Sequence, residues 1–223
     1  MKKMMMIAAM MVAALSANAQ FEPGTFSIQP KAGMNIAKVS NMSAMGVGDY
    51  KLDRSLIAGG VIGAEAEYQI AKPFSVAAGL QFSMQGCQWK DDDFTVNGEK
   101  VEVRDSKVEL NYITLPIVAN LYLFKGFAIK TGVQFGFLVG ANAKTTMKQG
   151  SYTLSYDEGV RGDCNKFDFS IPVGVSYQVP TIPIYIDGRA IFGLSDIAKD
   201  KLDNGTNSKN QVFQLTVGYK FAL

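Results

Sequence analysis

The sequence predicts an all-β fold, an eight-stranded antiparallel up-and-down β-barrel that crosses a membrane. Three observations carry this. Apolar and polar residues alternate through most of the chain, short and long connections between the alternating segments follow one another strictly, and the N-terminus reads as an export signal. The alternation is plainest at the end, where Phe213, Leu215, Val217, Tyr219, Phe221 and Leu223 interleave with Gln214, Thr216, Gly218, Lys220 and Ala222.

At the N-terminus, Lys2 and Lys3 precede an uninterrupted apolar run over 4–15, and Ala17-Asn18-Ala19 is a small-x-small cleavage site ahead of Gln20. The run falls short of the roughly 20 residues that a membrane-spanning helix needs, so it reads as a signal peptide, 1–19, removed on export. No Cys follows the site, which argues against a lipid anchor. The remainder, 20–223, is long enough for one barrel domain.

Eight alternating segments follow, at about 25–39, 55–70, 74–89, 107–123, 127–143, 165–179, 184–195 and 211–223. Each exceeds the roughly 9 to 11 residues of a tilted membrane strand. The connections after the second, fourth and sixth are tight, at Ala71-Lys72-Pro73, Phe124-Lys125-Gly126 and Pro180-Thr181-Ile182-Pro183. The others are long and polar. Outer-membrane barrels segregate their loops in this way, with short turns toward the periplasm and long loops outside. In the third connection, Phe94-Thr95-Val96 and Val101-Glu102-Val103 flank Asn97-Gly98, a hairpin-turn dipeptide, so these two strands are expected to continue beyond the membrane. Asn204-Gly205 is a second turn signal.

Alternation alone does not distinguish this barrel from a soluble one with apolar residues inside. The signal peptide, the loop segregation and the aromatic residues decide for the inverse. Phe127, Ile129, Val133, Phe135 and Phe137 of the fifth segment, and Phe167, Phe169, Ile171, Val173, Val175 and Tyr177 of the sixth, are expected to face lipid. Tyr68, Phe74, Tyr122, Phe124, Phe127, Tyr177, Tyr185, Tyr219 and Phe221 lie near the short turns and the C-terminus, where an aromatic girdle would meet the periplasmic interface. Pro30, Pro116 and Pro172 fall within strands, and local bulges are expected to accommodate them.

The inward face then carries Lys31, Glu65, Glu67, Lys130, Asp168, Asp187, Arg189 and Lys220, four cations and four anions. An eight-stranded barrel has an interior only wide enough for side chains, so these groups are expected to pair into a plug rather than line a channel. The alternative is a carboxylate-based active site or proton path, with Glu65 and Glu67 as the acid/base candidates.

Two of the 22 Lys plus Arg lie in the signal, so the rest balance the 20 Asp plus Glu, and no nucleic-acid partner is suggested. The chain has no His, which excludes Ser-His-Asp and Cys-His catalysis and His-ligated metal sites. No cofactor motif is present, and Asp91-Asp92-Asp93 lacks the spacing of a helix-loop-helix calcium site. Cys87 and Cys164 both fall at outer strand ends, where an exported chain could bridge them or keep two separate thiols.

Tyr112-Ile113-Thr114-Leu115-Pro116-Ile117 resembles the Tyr-Leu-x-Ile-Pro-Leu pattern of the Bacteroidetes outer-membrane β-barrel domain family, sometimes called PorT-like. Lys31-Ala32-Gly33-Met34-Asn35 and the ending Gly218-Tyr219-Lys220-Phe221 are similar to that family as well. The resemblance implies an integral outer-membrane barrel without a catalytic residue set. Some members assist a gliding-associated secretion machine. The function expected is therefore structural or surface-interacting, with outer-membrane lipid around the wall and an extracellular ligand or envelope protein met by four long loops. A secretion or transport accessory and a lipid-modifying membrane enzyme are the alternatives.

Overall fold

The computed structural model describes residues 22–40, 53–96, 99–199 and 207–223. The segment 1–19 read as a signal peptide, Gln20 and the turn dipeptides Asn97-Gly98 and Asn204-Gly205 lie outside these.

Eight long strands form the wall: β1 (Phe26–Val39), β2 (Ile57–Ala71), β3 (Phe74–Trp89), β4 (Glu99–Phe124), β5 (Phe127–Gln149), β6 (Phe167–Gln178), β7 (Ile184–Gly193) and β8 (Asn210–Tyr219). Each pairs antiparallel with its sequence neighbour, and β1 pairs with β8 to close the ring. The chain is an eight-stranded antiparallel barrel in which every wall strand has two neighbours. Closure removes the sheet edges that could not be left unpaired in hydrocarbon.

The alternation resolves into a polar inside and an apolar outside. Along β1, Ser27, Gln29, Lys31 and Asn35 are buried while Phe26, Ile28, Met34 and Ile36 are exposed. On β6, Phe167, Ile171, Val173, Val175 and Tyr177 face outward, and Asp168 and Ser170 face in. A water-soluble barrel would bury the apolar residues and expose the polar ones, so the outer face is built for lipid.

Two girdle assignments are corrected. Tyr122 and Tyr185 are buried inside the barrel, whereas Tyr68, Phe124, Tyr177, Tyr219 and Phe221 are exposed near the short-turn end. Phe124 and Phe127 stack there across the β4–β5 turn with centroids 4.7 Å apart. The reason is parity: Tyr185 lies two and four residues from the inward-facing Asp187 and Arg189, and Tyr122 lies two from the inward-facing Asn120.

The strand prolines need no bulge. Pro30, Pro116 and Pro172 keep register with Ala64, Gln134 and Ile191, and on the opposite side each sits where the paired positions of the adjoining strand are interrupted. The missing N–H therefore falls in a gap of the ladder.

The largest departure from the sequence reading is at the end of the barrel that carries the long connections. β4 and β5 run well beyond the expected 107–123 and 127–143, and two further strands, Asp92–Val96 and Tyr152–Gly159, flank them. Phe94 pairs with Val101 across the expected hairpin, while Tyr152–Gly159 forms within a stretch read as loop. Together they make a four-stranded sheet standing above the barrel. A bulge between Arg104 and Lys107, with Asp105 at φ 53°, marks where the extension departs from the wall.

Candidate functional site

The side chains of all eight charged residues singled out from the sequence are buried in the lumen. Arg189 of β7 lies at the centre. Its Nη1 and Nη2 donate to Glu65 Oε1 and Oε2 at 2.7 and 2.8 Å, and its Nε donates to Asp187 Oδ1 at 2.7 Å. Lys31 Nζ reaches Glu65 Oε1 at 2.7 Å, and Lys130 Nζ reaches Asp187 Oδ2 at 2.5 Å. Gln81 adds a donor to Glu65 at 3.1 Å. Five charged groups from four strands thus form one ionic cluster.

A second group gathers on Glu67, nearer the short turns. Lys220 Nζ approaches its Oε2 at 2.9 Å, the hydroxyls of Ser75 and Tyr122 donate to Oε1 at 2.5 Å each, and the Gln29 amide donates to Oε2. Tyr122 is therefore a lumenal member that the girdle assignment misplaced. Asp168 lies apart from both groups. It accepts from Ser195 Oγ at 2.6 Å and Asn210 Nδ2 at 3.3 Å.

The arrangement follows from desolvation. A charge buried alone costs several kcal/mol, so each is set against an opposite charge or polar donors. The five-residue cluster carries three cations and two anions, Glu67 and Lys220 cancel, and Asp168 balances the remainder. Glycine permits close approach here: a Cβ at Gly174 would stand 2.2 Å from the Gly188 carbonyl oxygen and 2.9 Å from Arg189 Cγ, and one at Gly218 would stand 2.5 Å from the Tyr185 ring. The first would force the β7 backbone to shift and the second would displace the Tyr185 ring.

Chemically, both oxygens of Glu65, Glu67 and Asp187 are engaged by cations or strong donors. That is the environment of structural ion-pair partners rather than of a base facing substrate. The open space bordered by Glu67, Tyr122, Lys130, Tyr185 and Lys220 amounts to about 10 Å³, room for roughly one water.

Toward the end that carries the long connections the lumen becomes apolar. Val39, Cys87, Trp89, Leu110, Tyr112, Leu138 and Ala141 from the wall pack with Val160, Cys164 and Ile197 from the connecting loops. This cluster escaped the sequence reading because inward parity breaks in β5, where Leu138 and Ala141 both point in with Val139 exposed between them. Cys87 and Cys164 share the cluster, and no disulfide joins them in this structure.

The sheet above this cluster has two unlike faces. On one, Lys100 and Arg104 pair with Asp93 at 2.8 and 2.7 Å and with Glu102 at 3.2 and 3.1 Å. Hydrogen bonds from Lys100 and then Arg104 hold the exposed Asp93 carboxyl below its ordinary value. On the other, Val103, Met147 and Leu154 lie in one cross-strand row, with Val101, Gln149 and Tyr152 in the next. Met147 and Phe94 pack on the apolar cluster, while Tyr152, Leu154 and Tyr156 stay exposed.

A family model described as outer membrane protein beta-barrel domain matches residues 18–199. No curated protein matches the chain. Among solved structures, the chain is similar to the attachment invasion locus protein Ail of Yersinia pestis, with 15% identity over 89% of this chain and 99% of that one and a TM-score of 0.42. It is also similar to OprG from Pseudomonas aeruginosa, with 13% identity over 92% and 99% and a TM-score of 0.44. Neisserial surface protein A follows with 12% identity over 88% and 97% and a TM-score of 0.42.

Proposed function

The chain belongs to the outer membrane protein β-barrel domain family, and on that premise we propose a closed, non-enzymatic outer-membrane barrel that acts through the sheet and loops it displays outside the cell. The observation that carries this reading is the four-stranded extension, whose exposed Tyr152, Leu154 and Tyr156 stand above a lumen filled by ion pairs and an apolar cluster. A filled lumen supports display over conduction. The engaged carboxylates and the absence of His from the sequence weigh against a lipid-modifying enzyme.

Export by cleavage of 1–19 and membership of the narrower PorT-like group are parts of the same proposal, the latter on Tyr112–Ile117 and Gly218–Phe221. So is a bridge between Cys87 and Cys164 on oxidation, which would tie the end of β3 to the loop before β6. Peptide mass mapping with and without reductant reads it.

Protease accessibility on intact cells tests the reading, with one epitope inserted at Asn97-Gly98 and another at Lys125-Gly126. Exposure of the first alone is expected. Exposure of both overturns the orientation, and exposure of neither until the cells are opened overturns surface display. In liposomes the protein is expected to give no steady conductance, and a stable open channel would overturn the closed lumen.

A further inference from the structure

The edge of the extracellular sheet supports an inference that rests on the surface-display reading and names a partner for it. Tyr152–Gly159 pairs on one side with residues 142–149 and on the other with no described strand. All eight of its residues are exposed, Tyr152 at 84% and Leu154 and Tyr156 at 61% each. Open edges recruit further strands unless charge, proline or a covering segment blocks them. The opposite edge of the same sheet carries Asp92 and Asp93, the latter in ion pairs. Tyr152-Thr153-Leu154-Ser155-Tyr156 has no charge and no proline.

This segment is also self-complementary, since Tyr-Thr-Leu-Ser-Tyr reads almost identically in either direction. Antiparallel pairing centred on Leu154 would set Leu154 against Leu154, Tyr152 against Tyr156 and Thr153 against Ser155. These are favourable cross-strand pairs. The flanking positions would set Asp157 against Ser151 and Glu158 against Gly150, so like charges do not oppose one another.

We propose that the partner is a second copy of this chain, joined by antiparallel pairing of Tyr152 through Tyr156 about a two-fold axis. The axis that relates two antiparallel strands is normal to their sheet and reverses strand direction. Gly159, paired with Asn142, is the barrel-side end of the strand. Pairing therefore directs the two barrels to opposite ends of one continuous eight-stranded sheet. That geometry suits copies in two apposed outer membranes, not neighbours in one.

The test uses the full mature protein in phosphatidylcholine vesicles, in two dye-labelled populations, with docking read by two-colour coincidence. Heat-modifiable migration certifies that each variant is folded. Wild-type vesicles are expected to dock. Vesicles carrying Leu154→Lys alone, or Leu154→Glu alone, are expected to lose at least tenfold of the coincidence, because like charges then meet on the axis. Mixing Leu154→Lys vesicles with Leu154→Glu vesicles is expected to restore it. Absence of wild-type docking, undiminished docking by Leu154→Lys alone, or a mixed pair no better than either single variant would each overturn the proposal. Pairing confined to copies within one vesicle would do the same. If the Asn97-Gly98 epitope is exposed on cells but vesicles do not dock, the partner is wrong and the display reading survives; an unexposed epitope removes both.

Discussion

Arg189 and Glu65 lie 124 residues apart in sequence and meet inside the barrel in a bidentate pair of 2.7 and 2.8 Å, linking β7 to β2. Both side chains are shut off from solvent. Removing one partner strands the other charge in the lumen, so Glu65→Ala is expected to cost about 3–5 kcal/mol. Replacing both by apolar residues of similar volume, as in Glu65→Leu with Arg189→Met, is expected to cost less than the sum of the single changes. Lys31 and Asp187 would still lose a partner, so the double variant should not reach the wild type. Equilibrium urea unfolding of the lipid-embedded barrel reads the difference.

Tyr122 supplies one of the donors to Glu67 and accepts from Lys220 at 3.0 Å. Tyr122→Phe keeps the ring and removes only the hydroxyl. Loss of a hydrogen bond to a charged group is expected to cost about 1.5–3 kcal/mol. If Tyr122 instead sat in an interfacial girdle, the same change would be nearly neutral, so the unfolding midpoint distinguishes the two placements.

Strand existence and the side of the wall on which the charged residues fall are legible because one periodicity, of two residues, governs a wall with lipid on one side and a polar lumen on the other. Reading Tyr122 and Tyr185 as girdle residues set residue type above parity, although Asp187 and Arg189 already fixed the side on which Tyr185 falls. Three-dimensional contacts were not legible. Nothing along the chain says that Glu65 meets Arg189, or that Asp168 takes Ser195 and Asn210 in place of a cation. The apolar cluster under the extension was hidden because bulges shift parity between Leu138 and Ala141. Tyr152–Gly159 does alternate, but its polar setting made it resemble loop.

The ionic face of the extension is expected to respond to acid before the barrel does. Asp93 is an exposed carboxyl whose value is lowered by hydrogen bonds from Lys100 and Arg104. A group lowered in the folded state stabilises above its unfolded value, and that contribution disappears as pH falls through its folded value. Loosening is therefore expected only below the ordinary carboxylate range of about 4. Amide exchange at Thr95 and Lys100 should rise there while exchange in β7 stays slow. Asp93→Asn should abolish this component of the acid response, and loosening that begins near neutral pH would exclude Asp93 as its source.

Val173 tests the assignment of the outer wall to lipid. It lies in β6 between Ala190 of β7 and Thr131 of β5, with 44% of its surface exposed. Arg near the bilayer midplane on the lipid face of a barrel costs about 2–4 kcal/mol, so Val173→Arg is expected to fall in that range. Glu158→Arg, on the exposed strand above the membrane, is expected to stay within about 0.5 kcal/mol of the wild type. Both changes introduce the same side chain at an exposed position of a strand, and they differ in what surrounds it. Equal tolerance of the two in lipid vesicles would mean that the outer face around Val173 meets water, and the membrane-spanning assignment of β6 would fall with it.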